Sequence, residues 1–450
     1  MQERIKFPEK FKWGVACASY QIEGGVKEDD KSETIWDRFT YTPGRIDDGR
    51  NGDVACDFYH RYKEDIQYAA NMGNKVFRLS VCWARILPEG TGRVSTAGVA
   101  FYRDVLSHIK ECGMEVALTI YHWDLPQCLQ NRGGWANREI VDWFLEYAKV
   151  LFAEFGDLVD SWITINEPGC IANLGYFTGE HAPGYTDYSL MLQAAHHILL
   201  AHGTVVDYYR SSSLTAPIGI VLSMNSFYPA RPETEESQAA AKRAKMQLNE
   251  LYGDPLFKKE YPQELFAYLK VRGVCMPIME EQDLEIIGTT IDFLDINTYY
   301  AEFIDATEGN WPIHTEKIRQ GLPVSSAGWE VYPEGMYELL TWITKEYQPQ
   351  SIIITENGSA CLDILDLDGE VKDYDRIDYF RRHLRQIHRC IAEGVPVDGY
   401  YVWCLVDNFE WATGFDLRFG LIYMDNHTLE RTWKQSAYWY RDTIQQNGFE

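Results

Sequence analysis

Eight short runs of apolar, β-branched or aromatic residues recur along the chain and predict eight β-strands. The runs are "FKWGVACAS" from Phe11, "KVFRLSV" from Lys75, "EVALTIYH" from Glu115, "SWITINEP" from Ser161, "APIGIVLSM" from Ala216, "DFLDINTYY" from Asp292, "SIIITENG" from Ser351 and "VDGYYVWCLVDNFEW" from Val397. Several of them are apolar almost throughout. This pattern is typical of parallel strands that are buried on both faces.

Helical patterns separate these runs, and three of them, "HRYKEDIQYAANMG", "GVAFYRDVLSHIKECG" and "DRIDYFRRHLRQIHRCIAEG", end at Gly73, Gly113 and Gly394. A glycine there suits a left-handed C-cap before a short loop into the next strand. Eightfold alternation predicts an α/β fold, a single (β/α)₈ TIM barrel in which residues 1–450 form one domain. An open doubly wound sheet shares the local pattern, but no G-x-G-x-x-G follows the first strand.

The connections that leave the predicted strands are long, whereas those that enter them are short. The long ones include residues 26–59, 123–137, 169–189 and 301–331. In a barrel they all emerge at the carboxyl-terminal face, where active sites of this fold lie. The sequence therefore predicts a deep pocket at that face.

Composition narrows the classes of function. The chain is 46% hydrophobic, contains no Pro/Ser-rich linker, and carries a formal net charge of −25, which argues against nucleic acid or an anionic membrane as a partner. The first residues lack the apolar core of a signal peptide, so we expect a soluble cytoplasmic protein.

The ten cysteines form no C-x-x-C pair, and neither "AHHILLAH" nor "DLDGE" has metal-ligand spacing; we expect reduced thiols, no metal and no cofactor.

Two carboxylates stand at predicted strand ends. Glu167 closes the fourth strand in "TINEP", and Glu356 closes the seventh in "TENG". Strands three positions apart in an eight-strand ring face each other across the barrel mouth, so the two carboxyl groups share one pocket. Such a pair is typical of glycoside hydrolysis, although metal ligation or coincidence also fits two isolated glutamates. Arg78, inside the second strand, needs a nearby carboxylate to compensate its buried charge.

Other strand ends carry residues that suit a sugar. His122 ends the third strand, Asn297 and Tyr299 end the sixth, and Trp403 ends the eighth ahead of Glu410 and Trp411. Indole faces stack on sugar C–H groups, and carboxylates accept hydrogen bonds from paired hydroxyls. Any one tryptophan by itself is more often part of a core.

The segments "WGVACASYQIEGG", "YHWDLPQ", "TINEP", "DFLDINTYY", "TENG" and "DNFEWATGFDLRFG" resemble, in order, the signature segments of glycoside hydrolase family 1, the retaining β-glucosidases and β-galactosidases. The resemblance implies that Glu167 is the acid/base and Glu356 the nucleophile, with Arg78, Asn297 and Tyr299 orienting the nucleophile. The predicted substrate-binding residues are Gln21, His122, Trp123, Asn166, Trp329, Trp403, Glu410, Trp411 and Phe419. The expected substrates are small β-glycosides such as cellobiose and aryl or alkyl glucosides, galactosides and fucosides.

The two carboxylates need different protonation states. Glu167 must hold a proton at neutral pH in order to donate it to the leaving oxygen, and a site with little water and a second carboxylate raises its pKa. Glu356 must stay ionised in order to attack, and Arg78 favours that state. Three rivals fit less well: a non-catalytic sugar receptor would lack one carboxylate, a thioglucosidase would replace Glu167 by glutamine, and a 6-phospho-β-glycosidase would place phosphate against Glu410.

Overall fold

The computed structural model describes residues 4–450, and its core is a closed barrel of eight parallel strands. The strands are β1 (Lys12–Ala16), β2 (Val76–Ser80), β3 (Glu115–Tyr121), β4 (Ser161–Asn166), β5 (Ile218–Ser223), β6 (Phe293–Asn297), β7 (Ile352–Asn357) and β8 (Val397–Trp403). Each lies within one of the eight predicted runs. Strand β8 closes the ring on β1, where Trp403 pairs with Ala16. The predicted (β/α)₈ barrel is confirmed.

Helices alternate with the strands along the chain. The α-helices are Ser19–Ile22, Ile35–Thr40, Phe58–Asn71, Trp83–Ile86, Thr96–Glu111, Gln127–Gln130, Ile140–Phe155, Pro168–Ala172, Tyr188–Arg210, Glu235–Lys245, Leu251–Phe257, Gln263–Val271, Asp283–Ile287, Glu334–Tyr347, Tyr374–Ala392 and Gln435–Gln446. Single 3₁₀ turns lie at Gly134–Ala136 and Trp411–Thr413, and π-helical turns at Asn173–Thr178 and Met246–Glu250. Gly73, Gly113 and Gly394 have φ values of 86°, 79° and 90°, as the predicted left-handed caps require.

Short strands outside the barrel were not predicted. Ile5–Lys6 pairs with Gly448–Phe449, Ile422–Met424 pairs with Arg431–Trp433, and Ser226–Pro229, Ala301–Ala306 and Thr315–Lys317 form a three-stranded sheet. Part of this last sheet lies in the segment that the sequence indicated only as a long loop. Its strands have three to six residues, and Glu302, Asp305, Glu316 and Lys317 interrupt any continuous apolar run.

The barrel interior changes character along its axis. The part of the interior that lies further from the carboxyl ends of the strands is a buried apolar cluster of Val76, Ala117, Ile163, Val221, Phe293 and Tyr401. Two residues further along the strands, the inward positions become polar, as with Arg78 after Val76 and Thr119 after Ala117. The apolar cluster stabilises the barrel by packing in its interior, and the carboxyl ends of the strands carry polar side chains. Within residues 4–450, no helix has both the length and the apolar character that crossing a membrane demands.

Candidate active site

Glu167 lies at the end of β4 in a strained backbone conformation. Its φ is 52°, in the left-handed region that non-glycine residues rarely adopt, and the helix Pro168–Ala172 begins directly after it. The pairing of β4 with β5 shifts register between Ile163 and Asn166. As a result the consecutive side chains of Asn166 and Glu167 both reach the barrel mouth, which a regular strand does not allow.

Glu356 lies across the mouth at the end of β7, and the same device directs it inward. The pairing of β7 with β6 shifts register between Ile354 and Glu356. Thr355 donates a hydrogen bond to Asn297 Oδ1 at 2.9 Å, while Glu356 Oε1 accepts one from the Arg78 guanidinium at 2.5 Å. Both consecutive side chains therefore point into the barrel. Glu356 Oε2 also accepts a hydrogen bond from the Tyr299 hydroxyl at 2.7 Å.

A polar network joins the two carboxyl groups. Arg78 donates to Asn166 Oδ1 at 2.6 Å as well as to Glu356. Asn297 Nδ2 donates to Asn166 Oδ1 at 3.1 Å and to Glu167 Oε1 at 2.6 Å. The cation is therefore bonded to Glu356, whereas the partner of Glu167 is a neutral amide.

These surroundings act differently on the pKa values of the two carboxyl groups. Burial and the nearby charge of Glu356 raise the pKa of Glu167 to about 7, although hydrogen bonds from Cys170 and Asn297 oppose the change. Burial also raises the pKa of Glu356, but the Arg78 charge and the Tyr299 hydrogen bond oppose that effect. When one proton is shared between the pair, Glu167 holds it and Glu356 carries the negative charge.

Aromatic rings form two walls around the carboxyl pair. In the first, the Trp123 and Trp411 centroids lie 4.6 Å apart, and the His122 ring stacks on Trp403 at 6.1 Å. Trp123 also donates from Nε1 to the Asn166 carbonyl at 2.9 Å, which fixes its indole beside the site. The second wall is a triangle of Tyr299, Trp329 and Phe419 with centroid distances of 5.4 to 5.9 Å.

Gln21 and Glu410 meet at the remaining side of the pocket. Gln21 Nε2 donates to Glu410 Oε2 at 3.3 Å and to Asn408 Oδ1 at 3.1 Å. Burial and the Glu356 charge raise the pKa of Glu410 to about 8, although a hydrogen bond from Trp403 opposes the change. The structure thus brings all fourteen predicted site residues together at the barrel mouth, where hydrogen bonds and ring contacts link them.

Sequence reasoning missed several supporting residues. Thr119 accepts from the Arg78 Nε at 3.3 Å, Thr355 holds Asn297, and Asn408 holds Gln21. Thr119 could have been found as a polar residue at an inward position of an otherwise apolar strand, whereas Thr355 points inward only because of the register shift in β7. Asn408 lies inside "DNFEWATGFDLRFG", one of the segments that resemble the family signatures. Within the described residues 4–450, no group of three or more His, Cys, Asp and Glu side chains is arranged to hold a metal ion.

A closed (β/α)₈ barrel with two buried carboxyl groups of opposite surroundings at its mouth is the architecture of a glycoside hydrolase. The family model for glycosyl hydrolase family 1 matches residues 3–449. The chain therefore belongs to glycosyl hydrolase family 1, and it is a retaining glycoside hydrolase.

Individual relatives are similar over their whole length. Beta-glucosidase A from Acetivibrio thermocellus is 44% identical over 448 residues, which are 99% of this chain and 100% of that protein. The structure of a family 1 β-glucosidase from Thermotoga maritima superimposes with a TM-score of 0.96 at 43% identity and covers 100% of both chains. A β-glucosidase from the same organism in complex with glucoimidazole gives a TM-score of 0.95 at 43% identity, covering 99% of this chain and 100% of that chain.

Proposed function

We propose that this protein is a β-glucosidase that removes terminal non-reducing β-D-glucosyl residues, and also β-galactosyl and β-fucosyl residues, from cellobiose and from aryl or alkyl glycosides. The observation that carries the proposal is the asymmetry of the two carboxyl groups. Arg78 is bonded to Glu356 and a neutral amide is bonded to Glu167. The names of the relatives, and the glucoimidazole bound in one of them, support glucose as the sugar.

In the first step Glu356 attacks the anomeric carbon. A bond forms between a Glu356 oxygen and that carbon, the bond to the leaving oxygen breaks, and Glu167 transfers its proton to the leaving oxygen. Arg78 and Tyr299 hold the Glu356 carboxylate in place for this attack. The result is a glycosyl ester on Glu356 and an ionised Glu167.

In the second step water replaces Glu356 on the anomeric carbon. Glu167, now a carboxylate, takes a proton from the water as its oxygen bonds to that carbon. Glu356 leaves as a carboxylate and regains its bond to Arg78. Glu167 ends the cycle protonated, as it began, so no external acid or base is consumed.

Sugar hydroxyls find partners on two sides of the pocket. Gln21 Oε1 and His122 Nδ1 are buried atoms without a hydrogen-bond partner among the described residues. A buried polar group without a partner is costly, so substrate hydroxyls would stabilise both atoms. Glu410 beside Gln21 can accept from adjacent hydroxyls, and Trp403 offers the floor on which the sugar ring stacks.

Glycon preference is tested by initial rates on matched aryl β-glucoside, β-galactoside and 6-phospho-β-glucoside, together with cellobiose. We expect the unphosphorylated glucoside and cellobiose to be hydrolysed and the phosphorylated substrate to be poor. Charge repulsion by Glu410 is weaker than the sequence indicated, because its pKa of about 8 leaves the carboxyl mainly protonated at pH 7. The ionised group that acts on Glu410 most strongly is Glu356, whose charge would also repel the phosphate. Preference for the phosphorylated substrate would overturn the assignment.

The anomer released first is the second prediction. In retaining glycosidases the two catalytic carboxyl groups lie about 5 to 5.5 Å apart, too close for water to attack the bound substrate directly, and the roles proposed for Glu167 and Glu356 require the same separation. Proton NMR during the first minutes of aryl β-glucoside hydrolysis should therefore show β-glucose before mutarotation produces the α-anomer. The α-anomer as the first product would contradict the roles of both carboxyl groups.

The pH dependence of kcat/KM is the third prediction. Activity requires protonated Glu167, whose pKa is about 7, so kcat/KM should fall as the pH rises through about 7. It should also fall at low pH, where Glu356 takes up a proton. On the same aryl β-glucoside, Glu167→Gln should lose the alkaline decline and keep the acidic one, because glutamine does not titrate. An unchanged alkaline decline in that variant would assign it to another group.

Two further properties are part of the proposal. The closed ring of strands and the family match over residues 3–449 support a single catalytic domain for the chain. All ten cysteines are free. Unpaired thiols are typical of proteins in a reducing compartment, which supports the cytoplasm as its location.

A further inference from the structure

Tyr379 is a buried residue that the proposed mechanism does not use. It lies on the helix Tyr374–Ala392, which follows β7 in the chain, and only 3% of it is exposed. Its hydroxyl donates a hydrogen bond to the main-chain carbonyl of Tyr299 at 2.6 Å. Tyr299 in turn donates from its own hydroxyl to Glu356 Oε2 at 2.7 Å. Two hydrogen bonds therefore connect a helix outside the barrel with the nucleophile.

The main chain at Tyr299 has left the barrel sheet. Strand β6 ends at Asn297 and the next strand begins at Ala301, so residues 298–300 belong to no strand. The amide of residue 298 still donates to the carbonyl of residue 356, at 3.1 Å, but among residues 4–450 the Tyr299 carbonyl accepts a hydrogen bond only from Tyr379. Because sheet hydrogen bonds no longer hold the main chain here, the Tyr379 bond fixes the position of the Tyr299 carbonyl.

Asn357 and Tyr400 determine the direction of this bond. A carbonyl oxygen only accepts hydrogen bonds, so the Asn357 side-chain atom 2.6 Å from the Thr298 carbonyl is Nδ2, and Nδ2 also donates to the Tyr379 hydroxyl at 2.9 Å. Asn357 Oδ1 is then left to accept from the Tyr400 hydroxyl, at 2.7 Å. The Tyr379 oxygen accepts from Asn357, so its proton is directed at the Tyr299 carbonyl. Asn357 and Tyr400 are fully buried, so water does not compete for these bonds.

We propose that Tyr379 is a positioning residue for the nucleophile: its hydroxyl holds the Tyr299 main chain and thereby keeps the Tyr299 phenol hydrogen-bonded to Glu356. Within residues 4–450, Tyr379 forms no hydrogen bond with either catalytic carboxyl group, so it acts through Tyr299. A hydrogen bond donated to a carboxylate stabilises its ionised form. Without the Tyr379 hydroxyl, the Tyr299 phenol should lose part of its contact with Glu356, and the ionised nucleophile should become less stable.

The protonation of Glu356 reports this effect. Activity requires ionised Glu356, so the loss of a hydrogen bond to its carboxylate moves the acidic decline of kcat/KM to higher pH. The other charged or titratable groups that act on this carboxyl group lie on other elements: Arg78 on β2, Glu167 at the end of β4 and Glu410 after β8. Removal of the Tyr379 hydroxyl changes none of them, so a shift of the decline reports on the Tyr299 bond.

This inference rests on the proposed role of Glu356, so the experiment tests that role first. The wild-type enzyme is trapped with a 2-deoxy-2-fluoro-β-glucoside that carries a dinitrophenyl leaving group, and peptide mass spectrometry locates the ester. An ester on another residue, or none, would reject the proposed function. With the ester on Glu356, kcat/KM for one aryl β-glucoside is measured across the acidic decline in the wild type, Tyr299→Phe, Tyr379→Phe and the double variant.

The three variants should form a pattern. Tyr299→Phe removes the whole hydrogen bond and should move the acidic decline up by about one to two pH units, because hydrogen bonds to charged groups are the strong ones. Tyr379→Phe keeps the Tyr299 phenol and should move it up by about 0.5 to 1 unit, which is about a three- to tenfold loss of kcat/KM on the acidic side. The double variant should coincide with Tyr299→Phe, because Tyr379 then has no phenol to hold. An unshifted decline in Tyr379→Phe, or shifts that add in the double variant, would overturn the inference.

Tyr147→Phe is the matched control. Tyr147 is a fully buried tyrosine on the helix Ile140–Phe155, and its hydroxyl also donates to a main-chain carbonyl just after a barrel strand, that of Val81 at 3.1 Å. This variant should keep the wild-type decline, and a shift equal to that of Tyr379→Phe would overturn the inference. A general loss of packing lowers kcat/KM by one factor at every pH and leaves the decline in place.

A second variant keeps the inference testable if Tyr379→Phe does not fold. Tyr400→Phe removes the donor to Asn357 Oδ1, which frees the amide that orients the Tyr379 hydroxyl. It should move the acidic decline in the same direction. An unshifted decline in folded Tyr400→Phe would reject the inference.

Discussion

Glu356→Ala is expected to lower kcat/KM by about 10⁶-fold on every glycoside, including dinitrophenyl glucosides, because no covalent intermediate can form. The substitution also leaves the buried Arg78 without its carboxylate partner. Removing one member of a buried ion pair costs about 3–5 kcal/mol of stability. Stopped-flow and steady-state rates measure the activity, while circular dichroism and thermal unfolding confirm that the variant is folded.

A small anion separates loss of the nucleophile from general damage. Azide can enter the space left by the Glu356 side chain, beside Arg78, and attack the sugar from that face. With a dinitrophenyl glucoside it should restore turnover and yield α-glucosyl azide. Glu356→Gln, which fills the space, is the matched control and should not be rescued. If azide instead gives the β-product, or if Glu356→Ala retains wild-type turnover, Glu356 is not the nucleophile.

Glu167→Gln is expected to lower kcat/KM by about 10²- to 10⁴-fold for substrates whose leaving group needs a proton, such as cellobiose and alkyl glucosides. Glutamine keeps the volume of the side chain, so the loss reports on the proton rather than on packing. Glycosylation by dinitrophenyl glucosides should change less than about tenfold. The measurement is a series of aryl glucosides plotted as log(kcat/KM) against the pKa of the leaving phenol.

The slope of that plot is the diagnostic quantity. It should be steeper for Glu167→Gln than for the wild type, because the variant cannot offset the charge on the leaving oxygen. In Glu167→Ala, azide should attack from the side vacated by the acid and give β-glucosyl azide, the opposite anomer to that from Glu356→Ala. An equal loss on all leaving groups would show that Glu167 has a binding or packing role instead.

The sequence determined the architecture of the barrel because its strands are buried on both faces. Such strands need nearly continuous apolar runs, and all eight predicted runs contain barrel strands. The glycine caps followed from local conformation, since a left-handed residue strongly favours glycine. The family resemblance of the segments around Glu167 and Glu356 was also visible in the sequence, because each signature segment is contiguous in the chain.

Features that depend on weak or distant signals could not be predicted. The three-stranded sheet built from residues 226–229, 301–306 and 315–317 is stabilised by pairing between segments far apart in sequence. Its strands are short and interrupted by charged residues, so no continuous apolar run predicts them. Asn408 likewise supports the site only because the chain brings it beside Gln21, 387 residues away.

Only the tertiary structure shows which side chains of the site point into the barrel and which contacts set the charges of the two carboxyl groups. Strand alternation would direct only one of Asn166 and Glu167, and only one of Thr355 and Glu356, into the barrel. The register shifts at the ends of β4 and β7 direct both members of each pair inward. The family resemblance implied that Arg78 orients Glu356, but the residues by themselves do not show whether Arg78 bonds to Glu356 or to Glu167, because that choice depends on three-dimensional distance. The burial that raises the carboxyl pKa values depends on it as well. The sequence by itself determined which residues meet at the barrel mouth, because strand order and strand ends are local properties, whereas the roles of the two carboxyl groups depend on contacts that exist only once the barrel has closed.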